Sequence, residues 1–285
     1  MRPADTWVDY ELIDATNHNR LERWGKTLLI RPDPQIIWKN EEVSPLWARA
    51  DAIYYRSAKG GGQWDYHKKL PQKWQIHWND LTLIVSPTGF KHTGLFPEQA
   101  ANWNFIYDRC RALVGKGGRP RLLNLFAYTG GATLAARAAG AEVTHVDSVR
   151  QVVTWSRENM ELSGLEGVRW IVEDALKFVR REVRRGSLYR GIILDPPAYG
   201  RGAGGERWIL EDNIGEMLEC CAQLLEPRGA FLVLNLYSMG LSSTLARTAV
   251  RQAFGAPREE QWGELCFTDR AGKQLPLGTY YRFTR

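Results

Sequence analysis

The 285-residue chain is short of the features that would place it outside the ordinary globular proteins. No apolar run approaches the ~20 residues needed to cross a bilayer; the longest, such as Ala230-Phe-Leu-Val-Leu234, are strand-sized. The N-terminus has neither a signal-peptide core nor an amphipathic presequence, so a cytoplasmic location is expected. Four cysteines (Cys110, Cys220, Cys221 and Cys266) are too few and too irregular for a disulfide framework. No Cys-x-x-Cys pair offers a zinc site, and no metal is expected. Gly-x-Gly-x-x-Gly, the dinucleotide signature, is also absent from the glycine turn at residues 128–133.

What is present is uneven. Eight of the twelve tryptophans, Trp7 through Trp103, fall before Asn104. This composition sets residues 1–90 apart as a small, mostly β domain. Its expected strands include Trp7–Ile13, Leu28–Pro34, Gln35–Trp38 and a hairpin, Trp74–Trp78 with Leu81–Ser86, turning at Asn79-Asp80. Net charge is +6, with 16 cations against 13 acids before Arg119 and 22 against 19 from Arg119 onward. So even an excess is compatible with a polyanionic partner without demanding one. The basic and aromatic stretch 59–74 is placed to touch RNA, through Lys68, Lys69 and Lys73 on phosphates and Trp64 or Tyr66 on bases. It reads equally as a solvated loop closing over the small domain's core.

Residues 91–285 read as a second domain, opened by an entry loop and helix over 91–118. Pro97 starts the helix, whose apolar residues Trp103, Ile106, Cys110 and Val114 repeat at three and four. Next, Arg121-Leu-Leu-Asn-Leu-Phe-Ala-Tyr-Thr-Gly-Gly131 runs from an apolar strand through a glycine turn into an alanine-rich helix. Such a unit brings backbone close to a ligand at a helix N-terminus. Ala141–Asp147 is a second strand. It ends in an acid 17 residues past Gly130, placed to accept from ribose hydroxyls or else to cap the next helix. Val168–Val172 is a third strand, after which Asp174 either accepts from an adenine amine or caps the helix Ala175–Arg185. Gly191–Asp195 is a fourth, leading into Pro196-Pro197-Ala198-Tyr199. Two prolines there give a rigid turn that aims Asp195 and nearby carbonyls at a cleft. Trp208–Leu225 and Ser242–Phe254 supply helices, Gly229–Asn235 a fifth strand, and 263–268 with 278–284 a closing pair. The whole is an α/β, Rossmann-like doubly wound, mostly parallel sheet with ligands at the strands' carboxyl ends.

These motifs together resemble the class I S-adenosylmethionine (SAM) dependent methyltransferases. They are most similar to the bacterial family of large-subunit ribosomal RNA cytosine-C5 methyltransferases, over about Lys91–Ser238. The resemblance implies SAM as cofactor. It also implies a cofactor-binding set of His92, Phe96 and Gln99 from the entry loop, and Asn124, Phe126, Tyr128, Thr129, Gly130 and Gly131 from the turn. Asp147 and Ser148 would serve the ribose, and Asp174 and Ala175 the adenine. Asp195, Pro196, Pro197 and Tyr199 would form the catalytic loop, with Tyr199 stacking on a flipped base or packing beneath the loop 200–205.

One departure is chemical. The cytosine enzymes carry a cysteine nucleophile after the fifth strand, where this chain reads Leu234-Asn235-Leu236-Tyr237-Ser238. The expectation is therefore methylation of an RNA base, ribosomal RNA being the expected partner, on nitrogen. Alternatives are a protein or small-molecule N-methyltransferase, a nicotinamide-dependent oxidoreductase and a non-catalytic RNA-binding protein.

Overall fold

The structure is a computed structural model that describes residues 7–57, 61–89, 91–115, 117–202, 204–237 and 241–285. Several positions considered above lie outside the described residues: the first six, Lys59 and Gly60 of the basic stretch, Ala203 of the glycine loop and Ser238. The chain divides into two compact units, one of Ala101–Leu265 with Gly278–Arg285, the other of Arg2–Ala100 with Cys266–Leu277. Residues 91–100 and the tip of the last hairpin thus fall with the N-terminal unit.

That unit is β-rich. Strands β1 (Tyr10–Thr16), β2 (Asn19–Trp24), β3 (Thr27–Pro32), β4 (Ala52–Arg56) and β5 (Gly62–Tyr66) form one sheet in sequential order, and β6 (Trp74–Trp78) pairs with β7 (Leu81–Val85). Asn79, at φ 49°, makes the β6–β7 turn as its residue type predicts. Gln35–Trp38, expected as a strand, is irregular: Trp38 O and Ile36 O accept from Asn17 and His18 at the β1–β2 turn. Strand β2 carries a fully buried Glu22, held by Arg31 at 2.6 and 2.7 Å and by the Tyr10 hydroxyl at 2.7 Å. From the hairpin tip, Phe267 packs 4.8 Å from the Tyr10 ring and Arg270 binds Glu11 at 2.7 Å. Of the basic stretch, Trp64 donates to Thr88 O and Lys68 pairs with Asp51, so both serve the unit's own structure.

A 3-10 turn at Pro97–Gln99 leads into α1 (Ala100–Val114). Then β8 (Arg121–Leu125), α2 (Gly131–Ala138), β9 (Glu142–Asp147), α3 (Arg150–Leu162), β10 (Val168–Val172) and α4 (Ala175–Arg184) alternate. They are followed by β11 (Gly191–Leu194), a small hairpin of β12 (Tyr199–Arg201) and β13 (Arg207–Ile209), and α5 (Leu210–Leu224). Strand β14 (Phe231–Leu236), α6 (Ser243–Phe254), β15 (Glu259–Thr268) and β16 (Gln274–Thr284) complete the chain. The seven-stranded sheet runs β10-β9-β8-β11-β14-β16-β15, its first five strands parallel and β16 antiparallel to β14.

Alternate side chains of the central strands feed two cores. Leu123, Leu125, Ile192, Leu194, Leu232 and Leu234 face α4, α5 and α6, whereas Leu122, Val143, Ile193 and Val233 face α1 and α2. Burial on both faces explains why these strands read as continuous apolar runs. Strand order reverses between β8 and β11, so the crevice at their carboxyl ends is where a ligand binds. No helix among the described residues is long and apolar enough to cross a membrane.

Candidate functional site

The turn after β8 is strained in a way that ordinary loops are not. Phe126 and Tyr128 sit at φ 54° and 48° and Gly130 at 89°. Each left-handed non-glycine residue costs about 1 kcal/mol or more, and such strain concentrates at ligand sites. Four contacts hold it. Ala127 N donates to Val146 O, and the Asn159 amide donates to Thr129 O at 2.9 Å. Asn124, expected to face the cofactor, is buried and donates to Thr133 Oγ1, which in turn meets His145 Nδ1, both at 2.9 Å. Asn124 therefore braces the turn from below. Burial pulls His145 down to about 3, so the brace is neutral.

The two glycines are required by packing as well as by conformation. A Cβ on Gly130 would lie 2.0 Å from Ser156 Oγ, and one on Gly131 2.2 Å from the Trp103 ring. Helices α3 and α1 thus approach the start of α2 too closely for any side chain.

Asp147 ends β9 beside this turn. Its two oxygens accept from Tyr128 N and Val149 N, both at 2.9 Å. Burial pushes its carboxyl up, against the pull of backbone N–H groups at Val149, Tyr128 and Ser148. The acid both shapes the turn and retains lone pairs for a further donor. Glu173 N donates to Asp147 O, which brings the end of β10 alongside. Asp174 caps α4, accepting from Lys177 N at 2.8 Å, and Ala175 is the first residue of that helix. The neighbouring Glu173 is committed to Arg181 through two 2.6 Å bonds.

Asp195 follows β11 directly. Its Oδ1 accepts from Asn235 Nδ2 at 3.0 Å. Asn235 is buried at the end of β14, and its own Oδ1 has no hydrogen-bond partner among the described residues. The carbonyls of the proline turn are partly spoken for: Pro197 O accepts from Trp208 Nε1 at 2.7 Å and Ala198 O from Leu210 N. The Trp208 ring packs 4.7 Å from Phe126, linking the turn after β8 to Pro196-Pro197. Tyr199 is half exposed on β12, and packing beneath the glycine loop does not describe it.

Sequence reasoning missed Asn235, Trp208, Thr133, Asn159 and Ser156. Asn235 alone left a mark, as the one polar residue in the buried strand Phe231–Leu236. His92, Phe96 and Gln99 belong to the N-terminal unit. There the His92 and Phe96 rings lie 5.3 Å apart, and Gln99 N closes on Phe96 O. Burial, helped by nearby arginines and Lys91, pulls His92 down to about 4.

An adenosine presents hydroxyl and amine donors, and Asp147 and Asp174 are acceptors at adjoining strand ends, so the donor set fits that ligand. No group of three His, Cys, Asp or Glu among the described residues is arranged to hold a metal. The sheet order, the strained glycine turn, the acid ending β9 and Asp-Pro-Pro after β11 define a class I methyltransferase.

Residues 53–259 match the family of S-adenosylmethionine-dependent methyltransferases. A SAM-dependent methyltransferase from Agrobacterium tumefaciens superposes with a TM-score of 0.92 at 36% identity, covering 98% of this chain and 91% of its own. Ribosomal RNA large subunit methyltransferase K/L of Shewanella frigidimarina is 32% identical over 52% of this chain and 20% of its own length. Methyltransferase I of Aeromonas salmonicida is 28% identical over 72% and 50% respectively. The chain thus spans from a fifth to a half of the curated relatives it matches. It belongs to the SAM-dependent methyltransferase family, and SAM is its cofactor.

Proposed function

We propose that this chain methylates a nitrogen of a base in ribosomal RNA, in the cytoplasm where that RNA is found. The observation that carries the reading is Asp195, an acceptor fixed by Asn235 at the strand ends next to the cofactor turn. SAM, when bound, supplies an electrophilic methyl whose thioether leaves without acid assistance. The chain's task is then to hold the acceptor nitrogen in line and to receive its hydrogen bond or proton. Asp195 suits that task. Tyr199, exposed two residues beyond Pro197, suits stacking on the acceptor base.

Cysteine chemistry has little support. All four thiols are buried: Cys110 on α1, Cys220 and Cys221 on α5, Cys266 on β15. Burial pushes Cys110 up to about 12 and raises Cys220 and Cys221 as well, which disfavours the nucleophilic thiolate. The RNA substrate rests on the names of the ribosomal relatives. Incubating the purified chain with methyl-labelled SAM and separated ribosomal RNA and ribosomal proteins tests it. Label should enter RNA and vanish with Asp195→Ala, while SAM affinity stays within about twofold. Label in protein alone would replace this reading with protein methylation.

A further inference from the structure

The hairpin that follows Asp-Pro-Pro has two unlike faces. It pairs Tyr199 with Ile209, Gly200 with Trp208 and Arg201 with Arg207. Alternation turns Trp208 one way and Tyr199, Arg201 and Arg207 the other. The Trp208 face is anchored, by the bond to Pro197 O and the contact with Phe126. The opposite face is open, with Tyr199 51% exposed between two exposed arginines.

Like charges directly across a strand pair repel and destabilise it. Among the described residues neither arginine has an ion-pair partner. Arg201 Nε donates to the Tyr199 hydroxyl at 3.2 Å, and the Arg207 guanidinium lies 5.9 Å from the Tyr199 ring centre. The hairpin's own acid, Glu206, is turned elsewhere: it accepts from Gly204 N at 2.8 Å and pairs with Lys177 at 3.6 Å. Two planar cations therefore stand together on a rigid support, flanking an aromatic ring, with their repulsion unrelieved. A phosphodiester supplies what is missing, since a guanidinium fork matches its oxygens and a ring accepts a neighbouring base. Arg201 lies six residues past Asp195, so at most about 20 Å of chain separates them.

We propose that Arg201 and Arg207 form a phosphate clamp that grips the RNA strand beside the acceptor nucleotide. The proposal rests on the RNA reading above. It is tested with a short fluorescein-labelled single-stranded RNA, whose affinity is measured by anisotropy across a salt series. The Arg201→Gln/Arg207→Gln double variant should bind more weakly. Its slope of log affinity against log salt should be shallower by about 1.4, at roughly 0.7 per lost phosphate contact. The double lysine variant should keep the wild-type slope, SAM affinity should not move in either, and the melting temperature should not fall in the glutamine variant, which loses the repulsion. An unchanged slope and affinity in the glutamine variant overturn the clamp while leaving RNA methylation standing. A wild-type chain that ignores this RNA but binds a polyglutamate peptide overturns both, and assigns the arginines to an acidic protein.

Discussion

Asn235 donates its side-chain amide to Asp195 across 3.0 Å, joining residues 40 positions apart at the ends of two adjacent parallel strands. The bond fixes the direction of the carboxylate. Asn235 is on this account a positioning residue, acting through Asp195. Replacing it by alanine should lower kcat roughly tenfold to a hundredfold, the scale of a small misplacement, and leave SAM affinity unchanged. Steady-state kinetics with SAM titration separates the two effects. Equal loss of SAM binding would assign Asn235 to the cofactor.

The glycine turn should respond unequally to added methyl groups. Gly131→Ala drives a Cβ into the Trp103 ring, which is buried and cannot retreat. Gly130→Ala meets a small hydroxyl, Ser156 Oγ, and carries the left-handed strain at φ 89°. Adding Ser156→Ala should therefore recover part of the Gly130→Ala loss and none of the Gly131→Ala loss. About 1 kcal/mol of backbone strain should remain in the first case. Denaturation of the four variants measures this, and equal rescue of both would contradict it.

Acid should weaken the fold through two histidines, the buried His145 and the half-buried His92. Burial holds His145 near 3 and His92 near 4, below the ordinary 6.5. Protonation is then taken up by the unfolded chain first. Stability is full above about pH 6.5 and falls as pH drops from there toward 4, by up to about 1.4 kcal/mol per unit for each histidine. His145→Gln should flatten the pH dependence of urea denaturation by about one proton. A slope unchanged by that substitution would show that His145 titrates normally.

How much was legible depended on the range of the signal. Strand β11 and its closing acid could be read because a parallel strand buried on both faces is an unbroken apolar run, and β8, β9 and β10 because β-branched and other apolar residues dominate beside their few polar ones. The chain punctuates them where the ligand side begins. Strand β2 (Asn19–Trp24) was hidden by its charges, since Arg20 and Glu22 imitate a loop until Tyr10 and Arg31 are seen to satisfy them. The hairpin of β12 and β13 was hidden by glycines. Asn235 and Trp208 act on residues 40 and 11 positions away, and no local pattern encodes such a meeting. Asp174 was ambiguous for the opposite reason, because helix capping, which it performs, asks for the same residue as adenine binding.

The central claim is transfer from SAM to a base nitrogen, with Asp195 as the acceptor beside it. Mass spectrometry of nucleosides from ribosomal RNA methylated by the purified chain tests it most directly. The account predicts a base carrying its new methyl on nitrogen, absent from RNA treated with Asp195→Ala. A 5-methylcytosine product, or methylated nucleosides formed equally by the Asp195→Ala chain, would contradict it.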